Sequence, residues 1–168
     1  MTGPGPRVLG PGDGDAVLLG SIGARFMISG QESGGGFALV EHPMPPRALA
    51  APLHRHNRED EYSFVLEGRV GALLGDEVLH GGPGDLIFKP RDQWHTFWND
   101  GDEPARILEI ISPAGFERYF REVAPLPPDA SPAERGAIAA RYALDVDPES
   151  IGRLVEEHGL RWGPATDP

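Results

Sequence analysis

Three histidines and one glutamate are the residues of this chain best suited to chemistry. His54 and His56 stand two apart in the stretch Pro52-Leu-His-Arg-His-Asn-Arg-Glu-Asp-Glu-Tyr62. On an extended strand, that spacing turns both imidazoles to one face. Glu61 follows five residues after His56, and Gly68 closes the apolar run that comes next. His95 stands in a second stretch, Gly84 to Asn99, rich in turn residues. Imidazoles and one carboxylate suit a divalent transition metal and leave it net positive charge. An octahedral ion held by four protein ligands keeps two positions open to substrate, water or dioxygen. Fe, Mn, Co, Ni and Zn all accept such a set, and the sequence does not choose among them. Taken singly, each residue also has a plainer reading. His54 and His56 could be a surface pair, Glu59-Asp60-Glu61 a solvated acidic run, and His95 a core histidine donating to a carbonyl.

The elements that must carry these residues are short strands. Apolar stretches at Ala16–Leu19, Ala24–Ser29, Phe37–His42, Tyr62–Glu67, Arg69–Leu74, Glu77–Leu79, Asp85–Phe88, His95–Trp98 and Ala105–Ser112 are separated by Gly, Pro, Asn and Asp. Nine strands with short connections predict an all-β antiparallel sandwich or barrel over 16–112. His95 lies 34 residues beyond Glu61 (95 − 61), enough for hairpins to return a strand to its side. Residues 1–15 are Gly/Pro-rich and are expected to be a flexible N-terminal segment. Residues 113–168 are expected to be a C-terminal helical extension. Ser112-Pro113 reads as a helix start, with Phe116, Tyr119, Phe120 and Val123 on one stripe. Ser131-Pro-Ala-Glu134 has capping-box spacing and opens a second helix toward Leu144. Asp147-Pro-Glu149 opens a third, stopping near Gly159.

Composition narrows the function. The chain has 168 residues, a formal net charge of −11 and no cysteine. One domain of ordinary core size fits that length. The charge balance offers no basic patch for nucleic acid and is repelled by anionic lipid, so neither partner is expected. Without thiols, any metal falls to His and carboxylate. No apolar run approaches a bilayer span. The first residues show no apolar signal core, which makes a cytoplasmic protein the expectation. One lysine against fourteen arginines fits the coding bias of a GC-rich bacterial genome.

The two stretches resemble the paired motifs of the cupin superfamily. The first motif reads Gly-x5-His-x-His-x3,4-Glu-x6-Gly, and here His54, His56, Glu61 and Gly68 match it, with Ala48 in place of the opening glycine. The second reads Gly-x5-Pro-x-Gly-x2-His-x3-Asn, matched by Gly84, Pro90, His95 and Asn99, with Asp92 at the middle glycine. Asp accepts a left-handed turn better than most residues, so the turn can survive. The resemblance covers about residues 20–112 and implies a cupin double-stranded β-helix, a jelly-roll-like barrel. It implies that His54, His56, Glu61 and His95 hold one divalent transition metal. It further implies a homodimer and a small-molecule substrate. Three functions come with it: a quercetinase-like dioxygenase on an enolic or phenolic compound, with Glu61 as the base; a non-redox cyclase, isomerase or lyase; and a non-catalytic small-molecule binder. The complete ligand set favours an enzyme, and the aromatic-rich barrel and overall likeness favour the dioxygenase.

Other residues follow from strand parity. Phe97 shares the parity of His95 and is expected in the substrate pocket, with Tyr62 and Phe64 from the preceding motif. Trp94 and Trp98 have the opposite parity and are assigned to the N-terminal strands, the C-terminal helices or a dimer surface. Asn99 reads as a turn residue, His42 as a surface histidine ahead of the alternative that it reaches the pocket mouth, and Lys89 as a strand-end solvent contact. His80 and His158 receive no function.

Overall fold

A computed structural model of the chain describes residues 5–164. The first four positions of the expected flexible segment, and the last four of the chain, lie outside the described residues. Ten strands run through the first two-thirds of the sequence. They are β1 (Ala16–Leu19), β2 (Ile22–Ile28), β3 (Ala38–Met44), β4 (Leu53–His56), β5 (Asp60–Glu67), β6 (Val70–Leu74), β7 (Glu77–Gly81), β8 (Leu86–Lys89), β9 (His95–Asn99) and β10 (Ala105–Ser112). Then come α1 (Glu117–Val123), α2 (Pro132–Arg141), β11 (Leu144–Asp147) and α3 (Ser150–His158). Among the described residues, no helix is long and apolar enough to cross a membrane.

Two antiparallel sheets face each other, one in the order β1-β2-β3-β10-β5-β8, the other β11-β4-β9-β6-β7. This is the all-β architecture expected of a double-stranded β-helix, with helices appended. Alternation places one face of each strand inside. β10 sends Ala105, Ile107, Glu109 and Ile111 inward, and β5 sends Glu61, Ser63 and Val65. β9 is buried on both faces. His95, Phe97 and Asn99 share one of them, while Trp98, on the other, packs with Leu49, Leu73, Leu154 and Leu160 beneath α3 and stacks on His158 at 4.4 Å. That resolves the place of Trp98 in favour of the C-terminal helices.

Turn chemistry sets the strand registers. Leu74 pairs with Glu77 across the two-residue turn Gly75-Asp76, where Gly75 has φ 61°. That conformation suits the right-handed twist of the hairpin and favours glycine. Asp92 adopts φ 64°, the left-handed turn expected of it. Its N–H donates to the carbonyl of His56 at 2.7 Å, tying the second motif to the first. At the opening position of the first motif, Ala48 is buried, and the left-handed conformation falls on Arg47 instead.

The C-terminal third departs from expectation. The capping box at Ser131 is present, with Glu134 as its partner, and Gly159 ends α3 at φ 63°. Yet α1 starts at Glu117 rather than Ala114. The Glu117 carboxylate accepts from Gly115 N at 2.7 Å and Gly30 N at 3.0 Å, which anchors that start. The second helix stops at Arg141, because Ala143 turns left-handed at φ 51°. The next four residues form β11, which pairs antiparallel with β4 through Leu144↔His56 and Val146↔His54. The extension is therefore not purely helical. At the other end, residues 5–15 have no regular structure and contact β2 and the loop after it. Arg7 pairs with Glu32, and Arg25 donates to the carbonyl of Asp13 at 2.8 Å.

Candidate metal centre

β4 and β9 pair through His54↔His95, and β5 faces them from the opposite sheet. This topology brings His54, His56, Glu61 and His95 together, all buried, with one ligand atom of each within 4.8 Å of all the others. Two of the three imidazoles have a backbone partner that sets their orientation. His54 Nδ1 donates to the carbonyl of Pro52 at 2.9 Å, and His95 Nδ1 to that of Gln93 at 2.9 Å. With Nδ1 protonated, Nε2 presents a lone pair, as a metal ligand requires. His95 Nε2 is 3.3 Å from Glu61 Oε2, and His56 Nε2 is 3.3 Å from Glu61 Oε1. Glu59, also buried, stands 3.7 Å from His56 Nδ1. Glu59 and Glu61 thus face inward, while Asp60 pairs with Arg91 at 2.8 Å. The plain reading of this run as solvated does not hold.

Protonation favours ligation. Burial holds His54 well below the ordinary histidine range and lowers His95, so both are neutral. Burial pushes the Glu61 carboxyl upward. The Lys89 ammonium and the histidines outweigh it and hold Glu61 well below its usual value. Both ring nitrogens of His56 are buried without a hydrogen-bond partner. Buried polar atoms of this kind call for a partner. Convergent donors, neutral imidazoles, an ionised carboxylate and the unpartnered His56 all fit a divalent cation.

The centre opens on one side. A mostly apolar pocket reaches His54 and Glu61. Phe97 lines it, as do Phe116, Tyr119 and Phe120 of the α1 segment and Leu144 and Val146 of β11. The C-terminal extension therefore builds one wall of the pocket. Tyr62 and Phe64, expected in the pocket, lie on the outer face of β5, and Phe64 is 38% exposed. The cause is parity, since a strand that turns Glu61 inward turns its neighbours outward. Asn99 is a structural clamp, as its turn reading requires. Its Nδ2 donates to the carbonyls of Met44, Pro45 and Glu103, and its Oδ1 accepts from Gly101 N at 2.9 Å.

Three inward groups escaped the sequence reading. Lys89 is 1% exposed rather than solvated, and its Nζ donates to Glu61 Oε2 at 2.9 Å and Glu109 Oε2 at 3.1 Å. Glu109 is 2% exposed. Burial pushes its carboxyl up to about 7, with Lys89 pulling the other way and Glu61 adding to the rise. One ammonium serves two carboxylates here, and Glu109 is the one left to hold a proton near neutrality. His42 is buried against Phe97 and Phe120, and desolvation lowers it to about 4. A readable signal existed for Glu109, a lone charge on the inward parity of Ile107 and Ile111.

A family model described as a cupin domain matches residues 41–111. Quercetin 2,3-dioxygenase of Bacillus subtilis (strain 168) is 27% identical over 118 residues, which is 69% of this chain and 34% of that protein. The chain thus spans about a third of the length of that curated relative. Among solved structures, the polyketide cyclase RemF of Streptomyces resistomycificus is 27% identical, covers 64% of this chain and 79% of its own, and superposes with a TM-score of 0.56. A sugar phosphate isomerase from Silicibacter pomeroyi is 21% identical over 63% of this chain and 75% of that one, with a TM-score of 0.55, which supports the fold alone. Motifs, strand order and these matches agree on a cupin-like barrel, with residues 41–111 matching the cupin domain model.

Proposed function

We propose that this chain is a metal-dependent cupin enzyme that acts on an enolic or phenolic small molecule as a quercetinase-like dioxygenase. The observation that carries the reading is a three-histidine, one-glutamate cluster whose His54 and Glu61 face an apolar, aromatic-walled pocket. Similarity to quercetin 2,3-dioxygenase supports the same direction.

His54, His56, Glu61 and His95 are the residues that would hold the ion. When bound there, a divalent metal would supply Lewis acidity that lowers the pKa of a substrate hydroxyl. The chain supplies the rest. Phe97, Phe116 and Phe120 seat an aromatic body and exclude water. Lys89 fixes Glu61 Oε2 at 2.9 Å, which leaves Oε1 as the oxygen without an ammonium partner. Glu61 Oε1 takes the substrate proton. Glu61 is a weak base, because Lys89 and the histidines lower its proton affinity, so it serves only an acidified hydroxyl.

A second reading has its own support. The likeness to a polyketide cyclase and the buried Lys89–Glu109 pair fit non-redox acid–base chemistry. An oxygen electrode separates the two. Metal-loaded protein given quercetin and simpler enols consumes dioxygen with substrate under the first reading and converts substrate without it under the second. Glu61→Gln keeps an oxygen ligand and removes the base. It should retain metal and lose roughly 100-fold or more in turnover. Parental turnover by that variant rules out the base role of Glu61.

A further inference from the structure

Glu109 has one oxygen that the protein uses and one that it does not. Oε2 accepts from Ser63 Oγ at 2.8 Å and from Lys89 Nζ at 3.1 Å. Lys89 is fully engaged, with Glu61 Oε2 at 2.9 Å and the face of Phe97 at 4.3 Å as its other partners. Oε1 of Glu109 is buried with no hydrogen-bond partner. A carboxylate oxygen without a donor in an apolar interior is costly, and its retention calls for a reason.

The surroundings supply one. Glu109 lines the pocket with His42, His54 and Glu61. His42 Nδ1 donates to the carbonyl of Gly23 at 2.8 Å, so its Nε2 is an acceptor. The polar wall beyond the metal centre thus presents acceptors. The same pocket is lined by Phe97, Phe116, Phe120 and Leu144. An aromatic body carrying a hydroxyl donor matches this mixed lining.

We propose that Glu109 Oε1 is a second polar anchor of the pocket, which accepts a hydrogen bond from a hydroxyl of an aromatic ligand. The pocket then selects molecules with a hydroxyl additional to the oxygen that meets the metal. This rests on the pocket being a ligand site, as proposed above, but not on the metal. Lys89 spaces the two anchors by bridging their carboxylates, and it directs no proton into the pocket.

The test uses full-length, chelator-treated protein at pH 8, with 2-naphthol and 2-methoxynaphthalene as fluorescent probes. They share a ring system and differ in the donor. The parent should bind 2-naphthol about tenfold more tightly or better, as expected for a hydrogen bond to a charged acceptor. In Glu109→Gln, Ser63 and Lys89 retain the amide oxygen and the NH₂ faces the pocket. The preference should then fall to about twofold or less, with Glu109→Ala giving the same result. Equal affinity in the parent, no binding of 2-naphthol, or a preference that survives in folded variants overturns the inference. If neither variant folds, a structure of the parent with 2-naphthol decides. The hydroxyl should lie within hydrogen-bond reach of Glu109 Oε1, and any other placement overturns the inference. Because no metal is present, a failed metal centre leaves this result intact, and a loaded metal centre cannot rescue it.

Discussion

Replacing Lys89 by Met should unbalance the interior more than any other single change at this site. The ammonium is fully buried and lies 2.9 Å from one carboxylate and 3.1 Å from another. Met fills a similar volume, so packing changes little and the loss is electrostatic. Removing one partner of a buried ion pair costs roughly 3–5 kcal/mol, because the remaining charge is left uncompensated. For a chain of this size, that corresponds to a fall in Tm of roughly 6–20 °C. Glu109 limits the damage where it can hold a proton. Its pKa near 7 rises further once the ammonium is gone, so the penalty should be smaller at pH 6 than at pH 9. Lys89→Met/Glu109→Leu removes one of the stranded carboxylates. Its cost should fall well short of the sum of the two single substitutions. Urea denaturation of chelator-treated protein, followed by circular dichroism, measures all of these. A single-substitution cost below about 1 kcal/mol at pH 9, or an additive double variant, contradicts the electrostatic reasoning.

Two further substitutions address the frame. His42 titrates near 4 when folded and near 6.5 when unfolded. The unfolded chain therefore binds the proton first, and stability present above pH 6.5 is lost as pH falls toward 4. The amount is roughly 3 kcal/mol. His42→Gln should flatten that segment of the stability–pH curve relative to the parent, and parallel curves would show that His42 plays no such part. Gly71 faces the indole of the buried Trp98, and a Cβ there would overlap the ring. Gly71→Ala should cost roughly 1–3 kcal/mol in a denaturant melt, whereas parental stability would mean the strand shifts freely.

Much of the barrel was legible because its signals are local. Gly75-Asp76 marks a hairpin, and the spacing of His54 and His56 reads directly as one face of a strand. Asp92 could be assigned a left-handed turn from its residue type and its place in a motif. The inward face of the site was harder to read, because it inverts the usual pattern. β8 exposes Leu86 and Phe88 and buries Lys89, and β5 buries Glu61 and Ser63 while turning Tyr62 and Phe64 outward. A rule that sends apolar residues inward fails where the interior is built to hold charge. Strict alternation from Glu61 places Tyr62 and Phe64 correctly. β11 was illegible for a different reason. Its four residues pair with β4, where Arg55 Nη2 donates to Asp145 Oδ2 at 2.7 Å across 90 positions of sequence. No local pattern reports so distant a partner.

The metal content of the folded protein bears most directly on the site. Chelator-stripped protein would be reloaded separately with Fe, Mn, Co, Ni and Zn, desalted, and assayed for metal per chain. His54→Ala/His56→Ala would be treated in parallel and checked for folding by circular dichroism. The four converging side chains should retain about one ion per parental chain for at least one of these metals, and the folded double variant should retain none. A parent that holds no metal under any loading, or a double variant that holds a full equivalent, contradicts the assignment of the centre.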